Sequence, residues 1–247
     1  MERKSEERIH LLDMIRGFCI ICMIFFHAFF DFAYIFDFSF GKALISFFEP
    51  SVPFFVAVFI LISGISCNLS KNNLKRGAVL FFIAMAITYI TSFDSSLVVM
   101  FGILHLLSIC MMLYALLEKL LAKIHFWVGM PILTVLYIIF IPIQNHAIGV
   151  EGVFLYHLPK AVTENSLLFP FGIYDPFFSS SDYAPVFPLI FIFFAGTLLG
   201  RYLHRLPDFA YKNYIKPLSF AGRNTLIIYL AHQPVLVAVI YLTDFFK

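Results

Sequence analysis

The stretch Leu11-Leu12-Asp13-Met14-Ile15-Arg16-Gly17-Phe18-Cys19-Ile20-Ile21-Cys22-Met23-Ile24-Phe25-Phe26-His27-Ala28-Phe29-Phe30-Asp31 decides the fold. It is long and apolar enough to be a membrane helix, which needs about 20 such residues. Its polar residues come at helical spacing. Asp13 and Arg16 are i, i+3 near one end, and His27 and Asp31 are i, i+4 deep inside, each pair on one helix face. Ionisable groups in a span are costly and mark functional sites. The eleven residues from Arg16 to His27 cover about 16 Å of helix, enough for a long, thin molecule to lie between two sites at different membrane depths.

The rest of the chain has the same character. Of 247 residues, 61% are hydrophobic, 33 are Phe and only 13% are charged, with mean hydropathy +0.91. Soluble domains carry about 25% charged residues. The composition therefore predicts an all-α, polytopic transmembrane helix bundle forming one domain over residues 1–247, and excludes a soluble enzyme with an anchor. The charged start, residues 1–10, precedes an apolar run that passes Phe36 without a small-residue cleavage site, so it is read as part of the mature chain.

Seven segments qualify as spans: 11–35, 50–69, 77–93, 98–117, 124–143, 186–204 and 222–243. Alternate connections carry Lys71, Lys75, Arg76, Lys119, Lys123, Arg205, Lys212 and Lys216, and the N-terminal arm adds Arg3, Lys4 and Arg8. The opposite side carries Lys42, Lys160 and Lys247. By the positive-inside rule the N-terminus is cytoplasmic and the C-terminus outside. One connection, 144–185, is long and rich in Pro (Pro159, Pro170, Pro176), Gly and Ser. The topology places it outside, where loops of this length act as lids or binding loops. Its patch Leu167–Ile173 is expected to dip back into the membrane surface.

Cys19, Cys22, Cys67 and Cys110 lie in apolar segments. The Cys-x-x-Cys pair has no second Cys or His pair at zinc spacing, so the four are read as small buried residues. No metal is expected.

Five places break the hydrocarbon rule. Asp13 with Arg16 is either an interfacial ion pair or an anion site, with Asp13 orienting a guanidinium whose fork suits phosphate. His27 with Asp31, in the outer half, has the base and orienter relation of acyl-transfer sites. His105, in Phe101-Gly102-Ile103-Leu104-His105, and His232-Gln233-Pro234, near mid-depth, are expected to line the same site. Pro234 frees a backbone carbonyl towards a cavity. Asp182 and Tyr183, in Ser181-Asp182-Tyr183-Ala184-Pro185, stand at the outer mouth of the sixth segment, where Asp182 is suited to a sugar amine or hydroxyl. In addition, Ala221-Gly222-Arg223-Asn224-Thr225 opens the last segment as a helix start whose amides attract anions, and Arg223 is a second candidate for phosphates.

These blocks, with Phe194-Ala195-Gly196-x-x-x-Gly200-Arg201 and Gly222-Arg223-Asn224-Thr225-x-x-x-Tyr229-x-x-His232-Gln233-Pro234, resemble the heparan-α-glucosaminide N-acetyltransferase catalytic-domain family, including its small bacterial members. The resemblance covers nearly the whole chain. It implies a membrane acyltransferase that takes an acetyl or other acyl group from cytoplasmic acetyl-CoA (acyl-CoA) and delivers it to an amino sugar or polysaccharide across the bilayer. The Arg-to-His spacing of the first helix also resembles that of membrane O-acyltransferases of surface polysaccharides. It implies His27 as the catalytic residue and Arg16 at the acyl donor; the spacing adds Asp31 as the orienter of His27, and Asp13, Arg223 and Asn224 at the donor. His105, Asp182, Tyr183, His232 and Gln233 fall to the acceptor. One departure stands out: no histidine lies between His27 and His105, where animal members carry a proposed active histidine.

The expected setting is the bacterial cytoplasmic membrane, with the lipid bilayer and a sugar acceptor as partners, no nucleic acid, and a homodimer compatible with the composition. The rival reading is a small-molecule or proton-coupled transporter, since intramembrane Arg, His and Asp also mark substrate paths. Against it, the sequence has no inverted repeat and no matched pair of broken helices. A non-catalytic scaffold would leave His27 and Asp31 unexplained.

Overall fold

The computed structural model describes residues 8–35, 39–93, 98–150, 152–175, 177–203 and 206–245. Arg3, Lys4, Arg205 and Lys247, used above for topology, and Pro176 lie outside these. The described chain is mostly helical. Its elements are α1 (His10–Phe30), α2 (Ser39–Phe48), α3 (Val52–Cys67), α4 (Asn73–Thr91), α5 (Ile103–Leu121), α6 (Phe126–Phe140), a hairpin of β1 (Ala147–Val150) and β2 (Val153–His157), α7 (Lys160–Thr163), α8 (Val186–Gly200), α9 (Lys216–Arg223) and α10 (Thr225–Phe245).

All seven expected segments contain a helix, but not all reach spanning length. Five helical stretches are long and apolar enough to cross a membrane: His10–Tyr34, Ser39–Cys67, Asn73–Thr91, Ile103–Leu121 and Phe126–Asn145. The two others are shorter in their apolar part, Val186–Gly200 and Thr225–Val239. The helix α8 begins at Val186, as expected, with Pro185 at its N-cap in extended backbone and a non-helical Phe187, and it ends early, at Gly200.

Two starts differ most from expectation. The second stretch begins at Ser39 rather than residue 50, because a 3-10 turn at Glu49–Ser51, with Pro50 at its start, joins α2 to α3. The fourth begins at Ile103 rather than 98. The long connection is built rather than open. It holds a 3-10 turn (Ile141–Asn145), the antiparallel hairpin β1–β2 with a register shift at Ile148/Gly149, the short α7 and a second 3-10 turn (Ser166–Phe171).

The chain divides into two compact units. The first comprises residues 1–59 and 204–247. Here α1 meets α9 at glycines: a Cβ on Gly17 would lie 1.9 Å from the Leu218 carbonyl oxygen, and one on Gly222 would lie 1.8 Å from that of Asp13. Backbone meets backbone with no room for a methyl, the small-residue packing that brings membrane helices together. On the same helix Phe18 packs edge-on against Phe55, and Phe29 lies 5.2 Å from Phe48 between ring centroids. After Phe30 the helix widens into one π turn, Asp31–Ile35. Gly41 of α2 packs against the backbone of this turn at Phe32 and Ala33. Such π turns recur at functional sites.

The second unit is residues 60–203. Gly64 of α3 and Gly196 of α8 make a reciprocal pair, each so close to a carbonyl of the other helix (Phe193 and Leu61) that a Cβ would lie 2.1 Å away. Asn68 donates to the Thr197 carbonyl at 3.0 Å beside them. Arg201, which ends the Gly196-x-x-x-Gly200-Arg201 motif, donates to the carbonyls of Leu121 and Ile124 (2.9 Å for the latter). It thereby ties down the last carbonyl of α5, which has no partner within the helix, and one in the connection to α6.

Candidate active site

In the first unit, α1 meets the α9–α10 segment at two points. At the lower one, Asp13 touches Gly222, three residues before α10 begins. At the upper one, the rings of His27 and His232 lie 5.1 Å apart between centroids, and Gln233 donates its Nε2 to both oxygens of Asp31, at 3.1 and 3.3 Å. The two contacts come in the same order along both segments, so the helices run parallel. The expected residues of this unit thus form two clusters, one towards each end of α1.

In the upper cluster Asp31 is 2% exposed. It sits at the join between α1 and the π turn, one turn beyond His27. The two imidazoles are inclined at 50°. The Nδ1 of His232 bonds the Tyr229 carbonyl oxygen. A carbonyl only accepts, so Nδ1 carries the hydrogen and the lone pair of the neutral ring is on Nε2. Tyr229 thus sets the tautomer of His232, a role the sequence reading missed. Its position at i−3 on the same helix was the available signal. The Gln233 amide is likewise committed: its NH2 faces the carboxylate, so what remains to it is a carbonyl acceptor.

In the lower cluster Asp13 is 5% exposed. The sequence reading paired it with Arg16, whose Nη1 lies 3.9 Å from Oδ1. The closer partner is Arg8, which donates to both oxygens through Nε and Nη2 (3.3 Å for the latter). The hydrogen bond to Asp13 raises the Arg8 pKa further, against partial burial that lowers it. Arg8 was missed because it precedes the helix and has no helical spacing to Asp13. Arg223 is exposed at the last residue of α9. Asn224 donates its side-chain amide to the Phe220 carbonyl at 2.9 Å, so it closes α9 rather than capping the start of α10. The lower cluster therefore sets Arg8 and Arg16 around one buried carboxylate, two positive charges on one negative, a balance suited to phosphate, and Arg223 follows Gly222, whose backbone meets that of Asp13.

The second unit holds the other expected residues, and two sequence blocks meet there. Ser181 and Ala184 donate backbone N–H groups to the carbonyls of Val98 and Phe101, both at 2.9 Å, and Met100 N–H donates to Ser180 Oγ at 3.0 Å. Asp182 Oδ2 accepts from the Ile103 N–H at 3.4 Å, so it caps α5 from a distant part of the chain. His105 is 3% exposed and uses both ring nitrogens. Its Nδ1 accepts the Gly102 N–H (3.2 Å). Its Nε2–H donates to Thr88 Oγ1 (3.3 Å), whose own hydroxyl donates to the Val99 carbonyl (2.7 Å). The ring stacks on Phe101 at 5.3 Å. Tyr183 donates its hydroxyl to the Phe169 carbonyl and sits edge-on to Tyr174 and Phe178. Burial, followed by the nearby Tyr174, raises its pKa well above the ordinary phenol value, so the hydroxyl stays protonated as a donor.

Two comparisons with known proteins give nothing: no curated protein and no solved structure matches. The third is decisive for the class. The family model described as "Heparan-alpha-glucosaminide N-acetyltransferase, catalytic" matches residues 8–234. The chain belongs to that family. Both clusters of the first unit and the Asp182–His105 region of the second fall within the match. Membership implies acetyltransferase activity in a multi-pass membrane protein, with acetyl-CoA as donor.

Proposed function

We propose that the chain moves an acetyl group from acetyl-CoA on the cytoplasmic side to an amino sugar or polysaccharide acceptor on the outer side. The observation that carries this is the upper cluster. A histidine with a carboxylate one turn away meets a second histidine and an amide from a parallel helix. The family match runs through both units and supports their acting as one acyltransferase domain with a long outer loop.

The donor phosphates bind Arg16 and Arg223, with Asp13 and Arg8 holding the local charge balance, and Asn224 keeps the end of α9 in place beside them. The pantetheine arm follows α1 over the roughly 16 Å to His27. His27, oriented by Asp31, takes a proton from the acceptor as its nitrogen or oxygen attacks the thioester carbonyl. The C–S bond breaks, and the proton passes to the CoA thiolate. In the second unit Asp182, Tyr183 and His105 shape the outer region that selects the acceptor.

The two shorter apolar helices complete seven spans with the N-terminus cytoplasmic. The parallel course of α1 and α10 supports this count, since a first and a seventh span run the same way. The test is incubation of purified protein with radiolabelled acetyl-CoA and a panel of amino sugars and polysaccharides, with His27→Ala beside it. Labelled acceptor formed by the wild type alone supports the proposal. Uptake of acceptor into vesicles without covalent product would overturn it in favour of transport.

A further inference from the structure

Gln233 is held from one side. Its NH2 faces both oxygens of Asp31, and since a carboxylate only accepts, its carbonyl Oε1 must face the other way. Oε1 is buried and has no hydrogen-bond partner among the described residues. Buried acceptors without a donor are rare and costly. This one lies one residue from His232, whose ring faces His27. The cluster therefore holds two hydrogen-bond acceptors, an imidazole nitrogen and the Gln233 carbonyl, for which a nucleophile that enters it would be the donor.

A neutral primary amine has two hydrogens and a lone pair. One hydrogen goes to the imidazole and the other to Gln233, and the lone pair is left for the acetyl carbonyl. A hydroxyl has one hydrogen, which the base must take, and leaves Oε1 without a donor. We infer that Gln233 is the residue that makes the site favour a primary amine over a hydroxyl. This rests on the acetyl-transfer reading above. In the step, the N–C bond forms and the C–S bond breaks. The proton lost from nitrogen passes through the imidazole to the thiolate of CoA. The remaining N–H stays on the product amide, still donated to Oε1. An amide N–H of the pantetheine arm has the same donor chemistry, and the experiment separates the two sources.

The test uses the purified full-length chain in lipid nanodiscs, above the pKa of the amine, with labelled acetyl-CoA and three acceptors: glucosamine, N-methylglucosamine and glucose. The wild type should favour glucosamine over both others by about ten-fold or more in kcat/KM, the size expected of one unpaired buried acceptor. Gln233→Leu, which also removes the bonds to Asp31, should slow all three acceptors but glucosamine most, removing most of that preference. Gln233→Glu should keep it, because its acid O–H bonds Asp31 and its carbonyl oxygen remains. Equal losses on all three acceptors in Gln233→Leu would overturn the inference, as would a change confined to the KM of acetyl-CoA, which would assign Oε1 to the pantetheine amide. If Gln233→Leu does not fold, the wild-type comparison of primary with N-methylated amine decides alone, and equal rates overturn the inference. Binding of labelled glucosamine and glucose without turnover keeps the two proposals apart. Absence of product with any acceptor sinks the transferase reading, while tighter binding of glucosamine than glucose, lost in Gln233→Leu, would still uphold the role of Gln233.

Discussion

His27 and His232 face each other at 5.1 Å between ring centroids, from the first and last helices of the chain. The tautomer of His232 is fixed by Tyr229, while His27 has the carboxylate on its own helix. On the mechanism proposed above, that difference favours His27 as the base. Replacing His27 with Ala should lower the acetylation rate about 100-fold or more, and His232→Ala by about ten-fold, at equal yields of monodisperse protein. The reverse ranking would move the base to α10.

Asp31→Asn keeps the size of the side chain and an oxygen for the Gln233 amide, but replaces the carboxylate beside His27 with a neutral amide. The expected result is a fall in kcat of about ten- to 100-fold with the KM of acetyl-CoA unchanged. Steady-state kinetics with each substrate varied in turn check this. A rise in that KM comparable to the loss in kcat would count against an orienting role.

Arg16→Ala should raise the KM of acetyl-CoA by about ten-fold, with Arg16→Lys between it and wild type because an ammonium lacks the guanidinium fork. Dephospho-CoA thioesters are the complementary probe. If Arg16 and Arg223 hold phosphates, the variants should lose their discrimination between the two donors. Equal effects on donor and acceptor KM would make Arg16 an interfacial anchor instead.

At the crossing of α1 and α9, Gly17→Ala would press a methyl into the Leu218 carbonyl, 1.9 Å from the ideal Cβ position. Overpacking of this kind costs about 1–3 kcal/mol. Thermal unfolding in detergent should show a lower Tm, and the KM of acetyl-CoA should rise as the lower cluster opens. An unchanged Tm would show that α9 can shift without cost.

Asp182→Ala removes a cap on α5 and should cost about 0.5–2 kcal/mol. A change in acceptor KM beyond what the lost folded fraction explains would add acceptor selection to the capping role. Stability alone moving would leave Asp182 as an architectural residue.

The helices were legible because each is a long apolar run, and the His27–Asp31 pair because both residues lie on one helix at i, i+4. What could not be read was whatever another part of the chain decides. Ile103 starts α5 because the carboxylate of Asp182 and the hydrogen bonds of residues 180–184 hold 98–102 extended. No local pattern in 98–117 carries that information. Likewise the sequence gives Asp13 two arginine neighbours but not which is closer, since Arg8 reaches it from outside the helix. The amide of Gln233 looks like a donor until Asp31 is found against it.

The bond between Gln233 and Asp31 joins positions 202 apart in the chain. During synthesis, when earlier segments fold and insert first, α1 is in the bilayer long before residues 232 and 233 leave the ribosome. An incomplete chain therefore has the Asp13 cluster of α1 but not the partner that Asp31 meets on α10. Chains truncated before residue 232 should be inert towards acetyl-CoA, which spares the cell's activated acetyl pool from hydrolysis by half-made protein.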